Sequence, residues 1–226
     1  RETVQNKTDL HIVPAFLAGP LPWVLVWFGL LVFAFFDAFS SMVSVWLQSN
    51  TFTHGFLVLP LVLFFLWTSR SRVLPLAPQA SLIASLLGVM IAVVGLAGYA
   101  ASINAIQHIA IAGLMLAGIV TFLGFRVSLQ LWFPLSLLVF LPPIGEELIP
   151  LFQRITADIA VWILQNTGVP VYRSGLYISI PSSDFEVAEA CSGIRFFVAS
   201  LFLGYLLACI SFKSPIRRIA FVMFSV

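Results

Sequence analysis

The sequence predicts an all-α polytopic membrane protein, and its composition and long apolar runs carry that prediction. Hydrophobic residues make up 61% of the 226 residues, charged residues only 9%, and the mean hydropathy is +1.07. A soluble domain has roughly 25% charged residues, and a chain of this length cannot bury so much apolar surface in one core. A soluble globular fold is therefore excluded, and lipid is the expected solvent.

We expect one membrane-embedded domain, residues 1–226, whose apolar runs form a bundle of about six spans. A seventh span would open near Ile219 and stop with the chain at Val226, so we expect a fragment truncated at its C-terminus. The first run follows a polar stretch without an A-x-A-like cleavage site, which favours a signal anchor over a removable signal peptide. The predicted spans are Leu21–Phe39, Gly55–Ser69, Ser81–Ala101, Ile106–Phe125, Ser128–Leu141 and Ala190–Phe212.

The lysines and arginines predict the orientation of these spans, because basic residues concentrate in short cytoplasmic loops. The loops 40–53 and 102–105 contain none of them. The basic residues that flank the spans are Arg1, Lys7, Arg70, Arg72, Arg126, Lys213, Arg217 and Arg218. This alternation places the N-terminus in the cytoplasm and the stretch 142–189 outside.

The stretch predicted to lie outside contains an amphipathic helix and then strands. Residues Glu146–Thr167 are apolar on one helical face and polar on the other, with Arg154 and Asp158 as an i,i+4 pair. A spanning helix here would invert the charge rule downstream, so we expect an amphipathic helix at the outer interface. Residues Gly168–Val187 alternate around turn residues, which predicts a small extracytoplasmic β-hairpin before the helix that carries Cys191.

Several functional classes lack their residues in this sequence. The net charge of +2 comes without a basic stripe, so no nucleic-acid partner is expected. Cys191 and Cys209 are too few for a disulfide framework or a cysteine metal site. His11, His54 and His108 lie far apart and outside any His-Glu-x-x-His motif, and no glycine-rich phosphate loop occurs. Neither a metal nor another cofactor is therefore expected.

The densest group of chemically useful residues runs from Glu186 to Arg195. Cys191 lies at the predicted start of an apolar helix, where unpaired backbone N–H groups and the helix dipole favour a thiolate. Arg195 follows four residues later on the same predicted face and would stabilise a thiolate or an oxyanion. Ser192 and Gly193 leave backbone N–H groups open to a substrate carbonyl. This arrangement predicts a cysteine nucleophile.

Each of these residues also has a purely structural interpretation. Cys191 would then be a small interior residue, and Arg195 would snorkel to the outer interface. Glu186 and Glu189 flank the cysteine and would orient an arginine or simply face water. His54 lies at the outer mouth of the second span, where an imidazole can act as acid or base, although a His-Gly pair is more typical of a helix cap.

Three segments carry a resemblance to a known family. They are the run Val187-Ala-Glu-Ala-Cys-Ser-Gly-Ile-Arg195, the upstream run Thr53-His-Gly-Phe-Leu-Val-Leu-Pro60, and the loop Lys213-Ser-Pro-Ile-Arg-Arg218. They are similar, in this order, to the cysteine signature, the early His-Gly motif and a basic loop of the exosortase/archaeosortase family of membrane transpeptidases. The similarity covers nearly the whole chain, and the cysteine motif is specific.

The resemblance implies an activity. Cys191 aligns with the family's nucleophile, which implies an integral-membrane cysteine protease or transpeptidase that works through a thioacyl intermediate. The implied substrates are exported proteins with a C-terminal PEP-CTERM-like sorting signal: a Pro-Glu-Pro-type motif, a transmembrane helix and a basic tail. Two further family residues, an arginine in an Asn-x-x-Arg motif and a His or Arg, are expected beyond Val226. The implied location is the inner (plasma) membrane, with the active site on the extracytoplasmic face and membrane lipids as further partners.

Two other functional classes are open on the residues alone. A multi-pass transporter or flippase component for envelope polysaccharide would show discontinuous helices, midplane charges and an internal repeat. The sequence has few such charges and no evident repeat between its halves. A non-catalytic assembly scaffold would use Cys191 only for packing. The reactivity of this thiol separates both classes from the enzyme.

Overall fold

The computed structural model describes residues 19–226, which form two compact units. The first unit contains the described residues up to Ser49 together with Thr53–Pro143. The second contains Asn50–Phe52 and Ile144–Val226. The residues of the charge and histidine arguments that lie outside the described range are Arg1, Lys7 and His11.

The described part of the first unit is helical, and the second unit combines helices with one sheet. The first unit contains α1 (Pro20–Ala34), α2 (Phe36–Gln48), α3 (Gly55–Val73), α4 (Leu82–Ala100), α5 (Asn104–Leu123), α6 (Phe125–Gln130), α7 (Trp132–Ser136) and a 3₁₀ helix (Leu137–Phe140). The second contains a 3₁₀ helix (Glu146–Leu148), α8 (Ile149–Asn166), β1 (Tyr172–Ser174), β2 (Tyr177–Ile180), β3 (Ser183–Glu186), a 3₁₀ turn (Glu189–Ser192), α9 (Ile194–Ser211) and α10 (Pro215–Ser225).

Within residues 19–226, four helices are long and apolar enough to cross a membrane: α3, α4, α5 and α9. The bent pair α1 and α2 would make a fifth span if it crosses as one. The predicted class, an all-α polytopic membrane protein, is confirmed. The sequence predicted about six spans; two of these apolar runs are broken into shorter helices in the structure, so they do not appear as single long helices.

The first predicted span, Leu21–Phe39, is two helices that meet at Phe35 with a bend of 83°. The reason lies in α2, where polar residues recur at helical spacing from Asp37 onward. The buried side of α2 consists of Ala38, Met42 and Trp46. A helix with one apolar and one polar face buries the first against protein, whereas a carboxylate inside the hydrocarbon would be costly.

The predicted span Ser128–Leu141 is divided among α6, α7 and a 3₁₀ helix. Pro134 explains the first break, because its ring lacks an N–H and collides with the carbonyl four residues earlier, at Gln130, where α6 ends. The leucines of this segment are buried within the protein, namely Leu131, Leu135, Leu137, Leu138 and Leu141. Protein packing, and not one lipid-facing helix, therefore accounts for the apolar run.

Small residues let α4 and α5 pack closely. A Cβ added at Gly95 would lie 2.8 Å from the Cβ of Ala110, and one added at Gly88 would lie 3.5 Å from that of Ala117. Close backbone approach of this kind is how helices gain packing energy where lipid removes the hydrophobic driving force. The α4–α5 pair thus forms a tight hairpin in the first unit.

The sheet of the second unit is antiparallel with the order β1-β2-β3. Ile178 at its centre pairs with Arg173 on one side and with Phe185 on the other. The predicted two-stranded hairpin is therefore incomplete: the turn at Pro181 and Ser182 brings residues 183–186 back as a third strand. This third strand runs directly toward the turn that carries Cys191.

Helix α8 packs against the sheet with one face and leaves its apolar face uncovered. Ala157 of α8 forms a buried core with Ile178 and Val187. The exposed apolar side chains on the other side of this segment are Leu148, Phe152, Ile155, Ile159, Trp162 and Ile163. In agreement with the predicted interfacial helix, α8 is not one of the helices apolar enough to span.

The predicted ion pair between Arg154 and Asp158 is wrong. The Asp158 carboxylate pairs instead with the guanidinium of Arg173 on β1. Arg173 also donates from Nε to the carbonyl oxygen of Gly175, at 2.7 Å. The sheet brings this arginine to α8, and a tertiary contact of that kind leaves no trace in helical spacing.

Helices α9 and α10 form a short hairpin at the end of the chain. A Cβ added at Gly204 would lie 2.0 Å from the Ser225 hydroxyl oxygen, so the two helices approach closely there. Arg218 donates from Nε to the carbonyl oxygen of Phe212, at 2.7 Å, where α9 ends. One residue of the predicted cytoplasmic anchor thus also caps the end of a helix.

Candidate active site

Cys191 lies in the 3₁₀ turn between the sheet and α9. Its side chain is exposed and forms no disulfide, and its backbone N–H donates to the carbonyl oxygen of Ala188, at 2.9 Å. We predicted that Cys191 would lie in the first turn of a helix beginning at Ala190. This is wrong, because Gly193 adopts a left-handed conformation (φ +72°) and α9 begins only at Ile194.

Ser192 and Gly193 form the junction between the turn and the helix. The left-handed conformation of Gly193 is one that residues with a side chain rarely adopt, which explains a glycine at this position. The Ser192 hydroxyl oxygen accepts the N–H of Ile194, at 3.4 Å. That N–H is one of those that a helix start leaves unpaired, and Ser192 satisfies it from the residue before the N-cap, Gly193.

Arg195 is exposed on the first turn of α9. Among the described residues, it has no carboxylate within salt-bridge distance. Because the helix starts after Cys191, the predicted i,i+4 relation between Cys191 and Arg195 does not hold, and the two side chains do not share one helical face. The guanidinium is therefore available to a substrate but is not positioned by helical geometry against the thiol.

The two glutamates before Cys191 have partners that the sequence did not predict. The Glu189 carboxylate accepts the hydroxyl of Thr51, at 3.1 Å. Glu186 pairs across the sheet with Tyr177, and the hydrogen bond to this carboxylate raises the pKa of the Tyr177 hydroxyl. A role of either glutamate in orienting an arginine stays a prediction.

Thr51 is a residue of the site that sequence reasoning missed. It is buried, and the short segment Asn50–Phe52 belongs to the second unit although it lies between α2 and α3 in the chain. Thr51 and Glu189 are 138 residues apart in sequence. The only sequence signal was the polar Ser-Asn-Thr stretch just before the His-Gly motif.

Helix α8 supplies two more side chains that touch the turn. Gln153 Nε2 donates to the carbonyl oxygen of Val187, at 2.9 Å, and Thr156 Oγ1 donates to the carbonyl oxygen of Cys191, at 3.2 Å. Gln153 was expected only on the polar face of the predicted amphipathic helix, and no role was predicted for Thr156. The segment that bears the candidate nucleophile is thus bound to α8 on either side of the turn.

His54 precedes α3 in the first unit. Its backbone carbonyl accepts the N–H groups of Leu57 (2.8 Å) and Val58 (3.2 Å), but its side chain does not cap the helix. His54 thus caps α3 through its backbone, as the N-cap residue, and a catalytic role for its side chain stays a prediction. Gly55 has a clear packing reason, because an added Cβ would lie 2.5 Å from the ring of the buried Trp46.

Within residues 19–226, no group of three His, Cys, Asp or Glu side chains is arranged to hold a metal ion. His108 is buried in α5 of the first unit. The residues of the site offer the exposed thiol of Cys191 and, on the next helix, the exposed guanidinium of Arg195.

A family model described as transmembrane exosortase matches residues 46–226. The match includes the Cys191 turn, α8, the sheet and His54. The chain belongs to the transmembrane exosortase family. No curated protein and no solved structure shows a significant match to this exosortase. Family membership and the apolar helices together give a multi-pass membrane protein with a transpeptidase-like role.

A group of carboxylates lies beside the turn in this exosortase. Desolvation, and then repulsion by the carboxylates of Glu147 and Glu189, raise the pKa of Glu146 above its ordinary value. Because the pKa of this carboxyl is raised by the fold, its contribution to stability is present below the ordinary glutamate pKa. That contribution is lost as the pH rises through the raised pKa.

The Glu146→Gln variant should therefore unfold at a higher temperature than the wild type at pH 7.5, by roughly 1–2 °C for so exposed a charge. At pH 4 the two proteins should unfold together, because the wild-type carboxyl is then largely protonated. Thermal aggregation of the full-length protein in detergent measures this, with Asp184→Asn on β3 as the matched charge control. An equal difference at both pH values would show that ionisation is not its cause.

Proposed function

We propose that this exosortase is a cysteine transpeptidase that cleaves the C-terminal sorting signals of exported proteins, with Cys191 as its nucleophile. The observation that carries the proposal is the exposed thiol of Cys191 in a short turn, within the region that the family model matches. A cysteine nucleophile must be reachable by an extended substrate backbone, and an exposed turn meets that requirement.

In the proposed reaction, the Cys191 thiolate attacks the scissile carbonyl carbon of the sorting signal. A C–S bond forms, the C–N bond breaks, and the nitrogen of the departing tail takes up a proton. An amine or water then attacks the thioester and gives up a proton, the C–S bond breaks, and the thiolate is regenerated. The products are the transferred or hydrolysed protein and a free hydrophobic tail.

The charge that develops on the carbonyl oxygen needs a positive or hydrogen-bonding partner. Arg195 is the nearest exposed guanidinium along the chain and is supported in this role by its position on the first turn of α9. Ser192 and Gly193 shape the backbone beside the thiol, while Glu189 and His54 are supporting candidates.

The proposed site lies on the extracytoplasmic side of the inner membrane, where the exported substrates are located. The alternation of basic loops supports this orientation, in which the broken segment 128–141 crosses the membrane as one span. The uncovered apolar face of α8 supports a position in the outer interface, with that face in lipid and the sheet on the water side. Membrane lipids and exported proteins are therefore the proposed partners.

A membrane-impermeant maleimide added to spheroplasts is expected to label Cys191 and not Cys209. Cys191 is exposed in a turn, whereas Cys209 is half-buried in the spanning helix α9. Gel-shift analysis of the full-length protein, with all cysteines replaced except one of the two, measures each thiol separately.

Labelling of Cys191 only after the membrane is permeabilised would contradict the proposed orientation. An unreactive Cys191 in permeabilised membranes would contradict its role as an accessible nucleophile. Equal labelling of the variant that retains only Cys209 would show that the two thiols do not differ in accessibility, and the assignment of Cys191 as the accessible thiol would lose its support.

A further inference from the structure

The turn that carries Cys191 is fastened at both ends to α8 by side-chain hydrogen bonds. Gln153 binds the carbonyl of Val187, just before the turn, and Thr156 binds the carbonyl of Cys191 itself. The two donors are three residues apart and therefore lie on one helical face. Only three residues separate the two bound carbonyls, so a very short segment is held from one rigid helix.

This fastening matters because the turn is short and exposed. A 3₁₀ turn is weaker than an α-helix, and every residue from Ala188 to Cys191 is exposed. Gly193 follows in its left-handed conformation with no atom within 4 Å of an added Cβ. The carbonyl of Cys191 is one bond from its Cα, so the bond from Thr156 limits where the Cβ and the sulfur can lie.

We propose that Gln153 and Thr156 are positioning residues for the nucleophile. The inference rests on the proposed function of Cys191 and deepens it. Attack on a carbonyl requires the sulfur within about 3–3.5 Å and in line, and a misplacement of about 1 Å can cost on the order of 10²-fold in rate. Both residues act through the backbone of the turn and touch neither the sulfur nor the substrate.

The contacts that hold the fold of this region are separate from the two hydrogen bonds. Ala157, Ile178 and Val187 form the buried core between α8 and the sheet, with further apolar side chains around them. Removing a hydroxyl or an amide at the edge of this core leaves these contacts unchanged. Variants at the two positions should therefore fold, while the turn gains freedom.

The test measures tail release by the full-length protein in liposomes from a reporter that ends in a Pro-Glu-Pro-type sorting signal. Thr156→Val should lower kcat roughly three- to tenfold and leave KM unchanged, as expected for the loss of one net hydrogen bond. Gln153→Met should do the same, and Thr156→Ser, which keeps the hydroxyl, should restore most of the rate. Unfolding temperatures should stay within about 2 °C of the wild type.

Thr167→Val is the matched control, because it makes the same substitution just past the end of the same helix. Among residues 19–226, the Thr167 hydroxyl bonds only to the carbonyl of Leu164, at 2.8 Å, and has no hydrogen bond to the turn. Its kcat and KM should equal those of the wild type.

Three results would overturn the inference. The first is that Thr156→Val and Gln153→Met have the same kcat as Thr167→Val. The second is that these two variants change KM and not kcat. The third is that Thr156→Ser is as slow as Thr156→Val. If Thr156→Val does not fold, Gln153→Met decides alone by the same criteria. Tail release by Cys191→Ala is a different failure, since it would remove the proposed function itself and the inference with it.

Discussion

Replacement of Cys191 by alanine is expected to abolish tail release, with a loss of at least about 10³-fold. The proposed thioester forms on this sulfur, and an alanine methyl group cannot form it. The substitution removes one exposed atom from a turn, so the fold has no reason to change. The measurement is an immunoblot of a secreted reporter with a Pro-Glu-Pro-type sorting signal, in cells that express the full-length wild type or variant.

Cys209→Ala is the matched control for this experiment. It removes the second thiol of the sequence from the last turn of α9, and the reporter should be processed at the wild-type rate. Processing by Cys191→Ala at the wild-type rate would show that the nucleophile is misassigned. The transporter and scaffold hypotheses would then replace the enzyme.

Gly55→Ala is expected to destabilise the first unit by about 1–3 kcal/mol, the usual cost of overpacking a core. The added methyl group would lie 2.5 Å from the Trp46 ring, which is itself buried, with only 4% of its surface exposed, and touches Phe56 edge-on. The ring is rigid and has no open space to enter. Thermal aggregation of the full-length protein in detergent measures the effect, which should appear as a fall of several degrees.

Gly29→Ala makes the same change in α1, where no atom lies within 4 Å of the added Cβ. This control should be neutral or slightly stabilising, because alanine favours a helix more than glycine does. Equal unfolding temperatures for Gly55→Ala and the wild type would mean that Trp46 moves aside freely. The packing explanation for the glycine of the His-Gly motif would then be wrong.

The sequence predicted the elements whose boundaries follow from local chemistry. The long apolar helices, the amphipathic α8 and the strands near residues 172–186 all show their own periodicity. The errors arose where an apolar run had two explanations. Residues 128–141 are apolar because protein covers them, and α2 continues the first run with one polar face, which a hydropathy sum over the whole run does not distinguish.

The candidate site was predictable in part for the same reason. Cys191, Ser192, Gly193 and Arg195 lie close together in sequence, so their group could be recognised as a motif. The residues that hold the turn come from α8 and from the segment at Thr51, between 34 and 138 residues away. Hydrogen bonds over such separations depend on how the sheet packs against α8, and one sequence carries no signal for them.

In the interfacial placement proposed above, the width of α8 would set the distance between the hydrocarbon of the bilayer and the nucleophile. One face would lie in lipid, and the opposite face is hydrogen-bonded to the backbone of Cys191. A helix with its side chains is about 10 Å across, and an extended chain advances about 3.3 Å per residue. The peptide bond that the Cys191 sulfur attacks would then lie roughly three residues outside the hydrocarbon. Substrates would be selected by the number of residues between their cleavage site and the point where the chain leaves the bilayer.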